Sequence, residues 1–312
     1  MPKYSIIVVS YNGERYINNC LTKLFEQTYN DFEIIFVDDG SSDNTKAEIT
    51  KFKKVKYYKI NHSGVSAARN YGISKANGKY FLFVDVDDYV DNDLLKIVDS
   101  NLEEDFDLVK FGYRIVDENN NIIKEVIDLS NDNIDGEDAF KILCNKKQVF
   151  DMICVYVYNK RYWLKNKYSF KEGCYHEDFG IIPYALLNAK KVKILSYSPY
   201  YYVQTKSSIT RSDDVKKNIK KAYDYLGHFD FLYNKVNNSN FSRDTKKLFN
   251  SYISNSAILK INTIPKTERK KYIDELKKRN VFNNIQDISL MHKIKKIILK
   301  ISPNLYLKVI KW

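Results

Sequence analysis

The sequence predicts an α/β protein: a doubly wound, mostly parallel sheet with a C-terminal helical extension. Three observations carry that expectation. Over the first hundred residues, short apolar runs alternate with segments of helical period, the pattern of a parallel sheet with crossover helices. Most of these runs stop in a polar or acidic cluster, which gathers those clusters along one rim of the sheet. Beyond Asp213 the chain becomes Lys-rich and nearly free of glycine, a helical composition.

Tyr4 to Val9 is a β-branched run and predicts the first strand. After it, Tyr16, Ile17, Cys20, Leu21, Leu24 and Phe25 recur at helical spacing. Phe32 to Val37 predicts a second strand, ending in the turn chemistry of Asp38-Asp39-Gly40-Ser41-Ser42. A polar helix and a third strand near Val55 to Ile60 follow. Ser63 is placed to cap a helix running through Ala76. Tyr80 to Val84 is a fourth strand, stopped by Asp85-Val86-Asp87-Asp88, and Leu94, Leu95, Ile97, Val98 and Leu102 mark the next helix. From Asp105 to Arg211 the pattern loosens. Leu108 to Val116 and Ile122 to Val126 flank Glu118-Asn119-Asn120-Asn121 as a hairpin, and Met152 to Tyr158 reads as a buried strand. Glu177 to Ala189 reads as a helix and Tyr200 to Val203 as a late strand. Boundaries therefore fall near residues 105 and 212, giving segments 1–105, 106–212 and a helical 213–312.

At 312 residues and 44% hydrophobic content the chain can bury a sizeable core. The four cysteines are scattered with no CxxC pair, which argues against disulfides or a zinc knuckle and for a reducing cytoplasm. Cys174 lies two residues from His176, but two ligands make no zinc site. No apolar run reaches the ~20 residues needed to cross a bilayer. Met-Pro-Lys-Tyr leading straight into a strand is unlike a signal peptide, so the expectation is a protein kept inside the cell. The net charge of +12 asks for a polyanionic partner. Nucleic acid is set aside because no known nucleic-acid module is present; anionic lipid and phosphorylated substrates remain.

Asp85-Val86-Asp87-Asp88 is the sharpest local signal. Carboxylates packed this closely repel one another unless a cation intervenes. Oxygen ligands of this kind suit Mg²⁺ or Mn²⁺, which share their remaining coordination with phosphates and water. The plainer reading is a solvated acidic turn capping the next helix.

Five ordered stretches carry a resemblance. They are Ser5-Ile6-Ile7-Val8-Val9-Ser10-Tyr11-Asn12; Gln27-Thr28-Tyr29 leading to Glu33-Ile34-Ile35-Phe36-Val37-Asp38-Asp39-Gly40-Ser41; Gly64-Val65-Ser66-Ala67-Ala68-Arg69-Asn70-Tyr71-Gly72; the Asp85–Asp88 cluster; and Glu177-Asp178. Together they resemble glycosyltransferase family 2 over roughly residues 3 to 212. The resemblance implies a GT-A fold in which 1–105 binds a nucleotide-sugar and 106–212 binds the acceptor. It implies an inverting, metal-dependent transferase that moves a hexose or N-acetylhexosamine from a UDP-sugar to a saccharide in bacterial surface-polysaccharide synthesis, as in capsule or exopolysaccharide.

The resemblance also suggests roles. Tyr11 stacks on the nucleobase, and Asp39 accepts a hydrogen bond from a pyrimidine ring N–H. Asp85 holds the ribose or sugar, Asp87 the metal, and Ser10 and Asn70 complete the donor contacts. Arg69 pairs with phosphate or braces the acidic site, against the plainer reading of a surface ion pair. Asp178 is the general base, against the plainer reading that Glu177 and Asp178 supply charge at a helix N-terminus. His176 is open between assisting at the site and packing. Ser207 to Arg211 resembles a segment that closes on the nucleotide in relatives. Two rivals share the scaffold: a transferase acting on polyprenyl phosphate, and a non-catalytic glycan- or nucleotide-binding module.

From Leu290 to Trp312, isoleucines and leucines interleave with lysines, as in basic helices that lie on anionic membranes. Pro303 divides the segment into two short helices. This tail predicts peripheral attachment at the inner face of the membrane and a lipid-linked acceptor. A hairpin packed on the enzyme, or a contact in a homodimer, is the alternative.

Overall fold

The computed structural model describes residues 1–286 apart from 103–104, 129, 147–149 and 206–213. The tail beyond Leu290 and the Ser207–Arg211 segment thus lie outside the described residues. The chain divides into two compact units. One is Met1–Gly173 with Glu177–Ser208; the other is Cys174–His176 with the chain from Ile209 onward.

The first unit begins with β1 (Tyr4–Ser10), α1 (Glu14–Phe25), β2 (Phe32–Asp38), α2 (Thr45–Thr50), β3 (Val55–Lys59), α3 (Val65–Lys75) and β4 (Tyr80–Asp85). All seven residues of β1 are buried, as expected of a strand covered on both faces. Next come β5 (Tyr89–Val90), α4 (Leu94–Ser100), β6 (Leu108–Lys110), β7 (Tyr113–Val116), β8 (Ile122–Val126), β9 (Asn131–Ile134) and α5 (Gly136–Asn145). The unit ends with β10 (Tyr156–Asn159), α6 (Lys160–Lys165), α7 (Ile182–Leu187), β11 (Val192–Ile194) and β12 (Tyr200–Val203).

Eight described strands form one sheet in the order β3-β2-β1-β4-β10-β6-β11-β9. β1, β2, β3 and β4 pair in parallel, with Ser10 opposite Asp38 and Val9 opposite Asp85. Strand order reverses between β1 and β4, so the switch point, where such sheets bind ligands, lies at the Ser10 and Asp85 ends. The sheet continues through β10 and β6, so the 1–105 and 106–212 segments share it. A second sheet runs β5-β12-β7-β8.

Several sequence expectations need correction. The predicted Leu108–Val116 strand is two strands, because Phe111-Gly112 steps from the first sheet to the second. A Cβ at Gly112 would lie 2.1 Å from the Val126 carbonyl oxygen and 2.7 Å from Ser198 Oγ. Gly112→Ala should therefore cost about 1–3 kcal/mol, read as a lower denaturation midpoint at unchanged m. Ser63 does not cap α3: its hydroxyl turns back to the Asn61 carbonyl, and Gly64 stands at the cap with φ 91°. The helix foreseen at Glu177–Ala189 is only Ile182–Leu187, because Pro183 fits the first turn and residues 177–181 form a turn before it. Met152–Tyr158 splits into a 3₁₀ turn over Ile153–Val155 followed by β10.

In the second unit, α8 (Val215–Asn237), α9 (Arg243–Leu259) and α10 (Lys266–Lys278) bury one face each, with Phe229, Leu232, Phe249, Ile253, Tyr272 and Leu276 in the core. Asp214 and Ser242 cap the first two helices through their side chains. The Tyr175 carbonyl accepts from His228 Nε2 at 2.9 Å, and His176 sits edge-on to Tyr225. Burial, then the charges of Lys260, Lys221 and His228, push the His176 pKa down to about 3. His176 is thus a neutral packing residue of the helical unit. Among the described residues no helix is long and apolar enough to cross a membrane.

Candidate active site

The loops after β1 and β2 interlock. Asn12 sits at φ 53° and its backbone N–H donates to Ser41 Oγ at 2.8 Å, while its side-chain oxygen accepts from the Ser42 N–H at 2.9 Å. The Asp39 N–H donates to the Ser10 carbonyl at 2.8 Å. Asp38 and Asp39 then part company. Asp38 is fully buried, accepting from the Ser41 N–H and the Tyr57 hydroxyl at 2.7 Å each, so it holds the turn. Asp39 reaches toward the loop after β3, accepting from the Ser63 N–H at 2.8 Å and the Gly64 N–H at 2.9 Å. Tyr11 is half exposed beside it, its ring stacked on His62. Ser10 Oγ is buried at the switch point with no hydrogen-bond partner.

Gly72 lets α3 lie close on β1, since a Cβ there would fall 2.5 Å from Ile7 Cγ2. That approach sets Arg69 among carboxylates. Its guanidinium donates to Asp85 at 2.9 Å and also pairs with Glu177, with 6% of its side chain exposed. Burial works against its charge, but Asp85, Glu177 and Asp178 outweigh that and hold its pKa above the ordinary value. The surface-pair reading of Arg69 is excluded by this burial. Asn70, the next residue, clamps Phe170: its side-chain nitrogen donates to the Phe170 carbonyl and its oxygen accepts from the Phe170 N–H, both at 2.9 Å. Its amide thus fixes the segment leading to Glu177, a task other than the donor contact expected of it.

Of the three aspartates at the end of β4, Asp88 turns away from the other two. Asp88 is buried and structural, accepting from the Tyr200 hydroxyl at 2.6 Å and the Val203 N–H at 2.8 Å on β12. Burial, then the charges of Asp87 and Asp85, raise its pKa well above the usual carboxylate range. Asp85 pairs with Arg69. Asp87 is half-buried, and burial followed by the Asp85 charge pushes its pKa up to about 6. Such crowding is what a cation relieves. Among the described residues no group of three or more His, Cys, Asp or Glu side chains is arranged to hold a metal. Asp85 and Asp87 nevertheless fit a cation that takes its other ligands from phosphate oxygens and water, the habit of Mg²⁺ and Mn²⁺.

Asp178 follows Glu177 in the turn before α7. Its carbonyl accepts from the N–H groups of Ile181 and Ile182, and its carboxylate from the Phe179 N–H at 2.7 Å. The side chain is thus held four residues before the helix, not on its first turn. Burial raises its pKa well above the usual carboxylate range, helped by the charges of Glu177 and Asp151 and opposed by Phe179 and Arg69. A carboxyl so tuned is a stronger proton acceptor once ionised. The structure thus brings Arg69, Asp85, Glu177 and Asp178 to one place, and Ser10, Tyr11 and Asp39 to the adjoining loops. Sequence reasoning missed Glu177 as the second partner of Arg69; it placed His62-Ser63-Gly64 on the binding rim after the third strand but gave His62 no role.

A model of the family described as Glycosyl transferase family 2 matches residues 5–166. The chain is 28% identical over 237 residues to the uncharacterized glycosyltransferase YibD of Escherichia coli, covering 73% of this chain and 68% of that protein. It is 29% identical over 220 residues to the poly(ribitol-phosphate) beta-N-acetylglucosaminyltransferase TarS of Staphylococcus aureus, covering 65% of this chain but only 35% of that protein. Among solved structures, TarS residues 1–349 in complex with UDP-GlcNAc superimposes with a TM-score of 0.75 at 19% identity, covering 98% of this chain and 86% of that one. The mannosyltransferase PcManGT from Pyrobaculum calidifontis, in complex with GDP-Man and Mn²⁺, gives 0.54 at 14% identity over 99% of this chain and 86% of that one. At such identities these two likenesses speak to the fold, and they agree with the GT-A arrangement of sheet and helices found here. The family match spans more than half of the chain, and the chain belongs to glycosyl transferase family 2: it is a glycosyltransferase.

Proposed function

We propose that the chain moves a hexose or N-acetylhexosamine from a UDP-sugar to a saccharide acceptor carried on a lipid, with inversion, in bacterial cell-surface polysaccharide assembly. The observation that carries this reading is the Arg69 bridge, which ties Asp85 at the donor-side switch point to Glu177 beside Asp178. One buried cation thereby couples the residues that would hold the donor to the residue that would activate the acceptor. The half-exposed Tyr11 ring and the Asp39 carboxylate form a slot for a pyrimidine, which favours uridine. The TarS complexes with UDP and UDP-GlcNAc support that choice of nucleotide.

In the proposed reaction Asp178 accepts the proton of an acceptor hydroxyl. The hydroxyl oxygen bonds to the anomeric carbon on the face opposite the diphosphate. The carbon–oxygen bond to UDP breaks, and its electron pair leaves with UDP. Asp85 and Asp87 would hold a divalent cation, which when bound neutralises charge on the departing diphosphate. Arg69 holds Asp85 and Glu177 in register throughout, so the carboxylates need not reorganise as charge moves.

The test is release of UDP from a panel of UDP-sugars with Mn²⁺ or Mg²⁺ present. At least one sugar should be turned over. Release from GDP-sugars alone would overturn the uridine reading. EDTA should abolish turnover and Mn²⁺ restore it, and Asp87→Ala should lose activity while remaining folded. Full activity after exhaustive chelation would remove the cation from the account.

We further infer, from the sequence alone, that the basic tail beyond Leu290 holds the enzyme at the inner face of an anionic membrane, each nearby Lys contributing about 1 kcal/mol. Deleting 290–312 should weaken binding to anionic vesicles and flatten its salt dependence, leaving donor turnover intact. Unchanged vesicle binding would assign the tail to an internal or subunit contact.

A further inference from the structure

His62 follows β3 and carries a half-exposed side chain, with 56% of it accessible. Its ring lies on Tyr11, with centroids 4.1 Å apart and planes inclined by 24°. Its Nδ1 is 2.9 Å from the Asp39 carboxylate and 3.0 Å from the Asp39 carbonyl oxygen. The carboxylate also accepts two backbone N–H groups, as an ionised group does, so Nδ1 faces acceptors only. The ring proton is therefore assigned to Nδ1, which donates. The imidazole thus makes both contacts proposed for the pyrimidine: a flat ring on Tyr11, and a ring N–H aimed at Asp39.

Two rings cannot share that place. Stacked rings stand about 3.5 Å apart, so a base inserted between Tyr11 and His62 would need roughly twice the separation seen here. The backbone of His62 lies close against Gly40, where φ is 79° and a Cβ would lie 2.8 Å from the His62 nitrogen. The side chain is the part able to move, and exposed rotamers exchange in picoseconds to nanoseconds.

Resting on the uridine reading above, we propose that His62 is the gate of the donor site: its imidazole stands in for the nucleobase on Tyr11 and Asp39, and swings into solvent when the donor binds. The gate lowers apparent affinity by the fraction of molecules in which it is open. It also gives the site an occupant that replaces UDP as product leaves, so Tyr11 and Asp39 keep their contacts. Because the swing is fast, it does not limit turnover.

The experiment is calorimetric titration of the full chain with UDP in the presence of Mn²⁺, for wild type, His62→Ala and His62→Phe. His62→Ala should bind UDP about two- to tenfold more tightly, the size of a lost stacking competitor. His62→Phe keeps the stack but cannot donate to Asp39, so it should fall between wild type and His62→Ala. With four histidines in the chain, the His62 ring proton can be assigned by NMR, and UDP should move it downfield as it leaves the Tyr11 face. Weaker or unchanged binding by His62→Ala overturns the gate: His62 is then a wall of the slot, or does not compete with the base. Those outcomes leave the uridine reading standing, whereas a wild-type chain that binds no UDP removes the reading and the gate together.

Discussion

Asp178→Asn is expected to lower turnover by about 10²–10⁴-fold, the usual contribution of a positioned general base, while UDP affinity stays within a factor of two or so. Asparagine keeps the size of the side chain and can still accept from the Phe179 N–H, but it cannot take a proton. Turnover and UDP affinity measured on one sample separate the roles. A rate lost only through affinity would make Asp178 a binding residue, and an unchanged rate would pass the role to Glu177. The pH profile gives a second readout. Burial and Glu177 raise the Asp178 pKa, so kcat/KM should climb with pH through an apparent pKa above the ordinary carboxylate range of about 4. Linkage has the matching sign. A raised folded-state pKa stabilises the fold below the unfolded value, and that stabilisation is lost as pH rises through the folded value. Asp178→Asn removes this charge, so at neutral pH it should not lower the unfolding midpoint.

Arg69→Met should behave in the opposite way, losing stability as well as activity. It leaves Asp85 and Glu177 facing each other beside Asp178 without a counter-charge. Breaking a buried pair from one side costs about 3–5 kcal/mol. The lower end, about 3 kcal/mol, is expected here because Asp85 is a third exposed, at 32%, and water screens it. The deficit should be largest at neutral pH and shrink as the carboxyls take up protons. A deficit that is constant with pH would mean that Arg69 matters by packing, for example against Phe83, whose ring centroid lies 5.8 Å from the guanidinium carbon.

Three strands of the parallel half, β1, β2 and β4, were legible because they are buried on both faces and read as unbroken apolar runs, each ending at a polar cluster on the binding rim. β1, β2 and β4 follow the expected runs within a residue at either end. The later strands β9 and β11, with four and three residues, are too short to show a period. α5 passed unnoticed although Asp135 caps it by accepting from the Asp138 N–H and Ala139, Phe140 and Leu143 recur at helical spacing. At the site, each aspartate was visible as a residue but its direction was not. Asp38 against Asp39, and Asp88 against Asp87, are neighbours with opposite tasks, decided by which tertiary partner reaches them. Asp88 turns inward because Tyr200, more than a hundred residues away in sequence, meets it there. The Arg69–Glu177 pair spans a similar distance, and no local spacing encodes it. Asn70 looked like a donor contact, yet its amide is engaged by the backbone of Phe170.

The most direct test of the proposed chemistry is the anomer first released when the chain hydrolyses an α-linked UDP-sugar in the absence of acceptor. Proton NMR follows it in real time, before mutarotation scrambles the product. Attack opposite the diphosphate, with Asp178 taking the proton from water in place of the acceptor hydroxyl, predicts that the β-sugar accumulates first together with UDP. Appearance of the α-sugar first, or no consumption of any UDP-sugar with Mn²⁺ or Mg²⁺ present, would contradict the account.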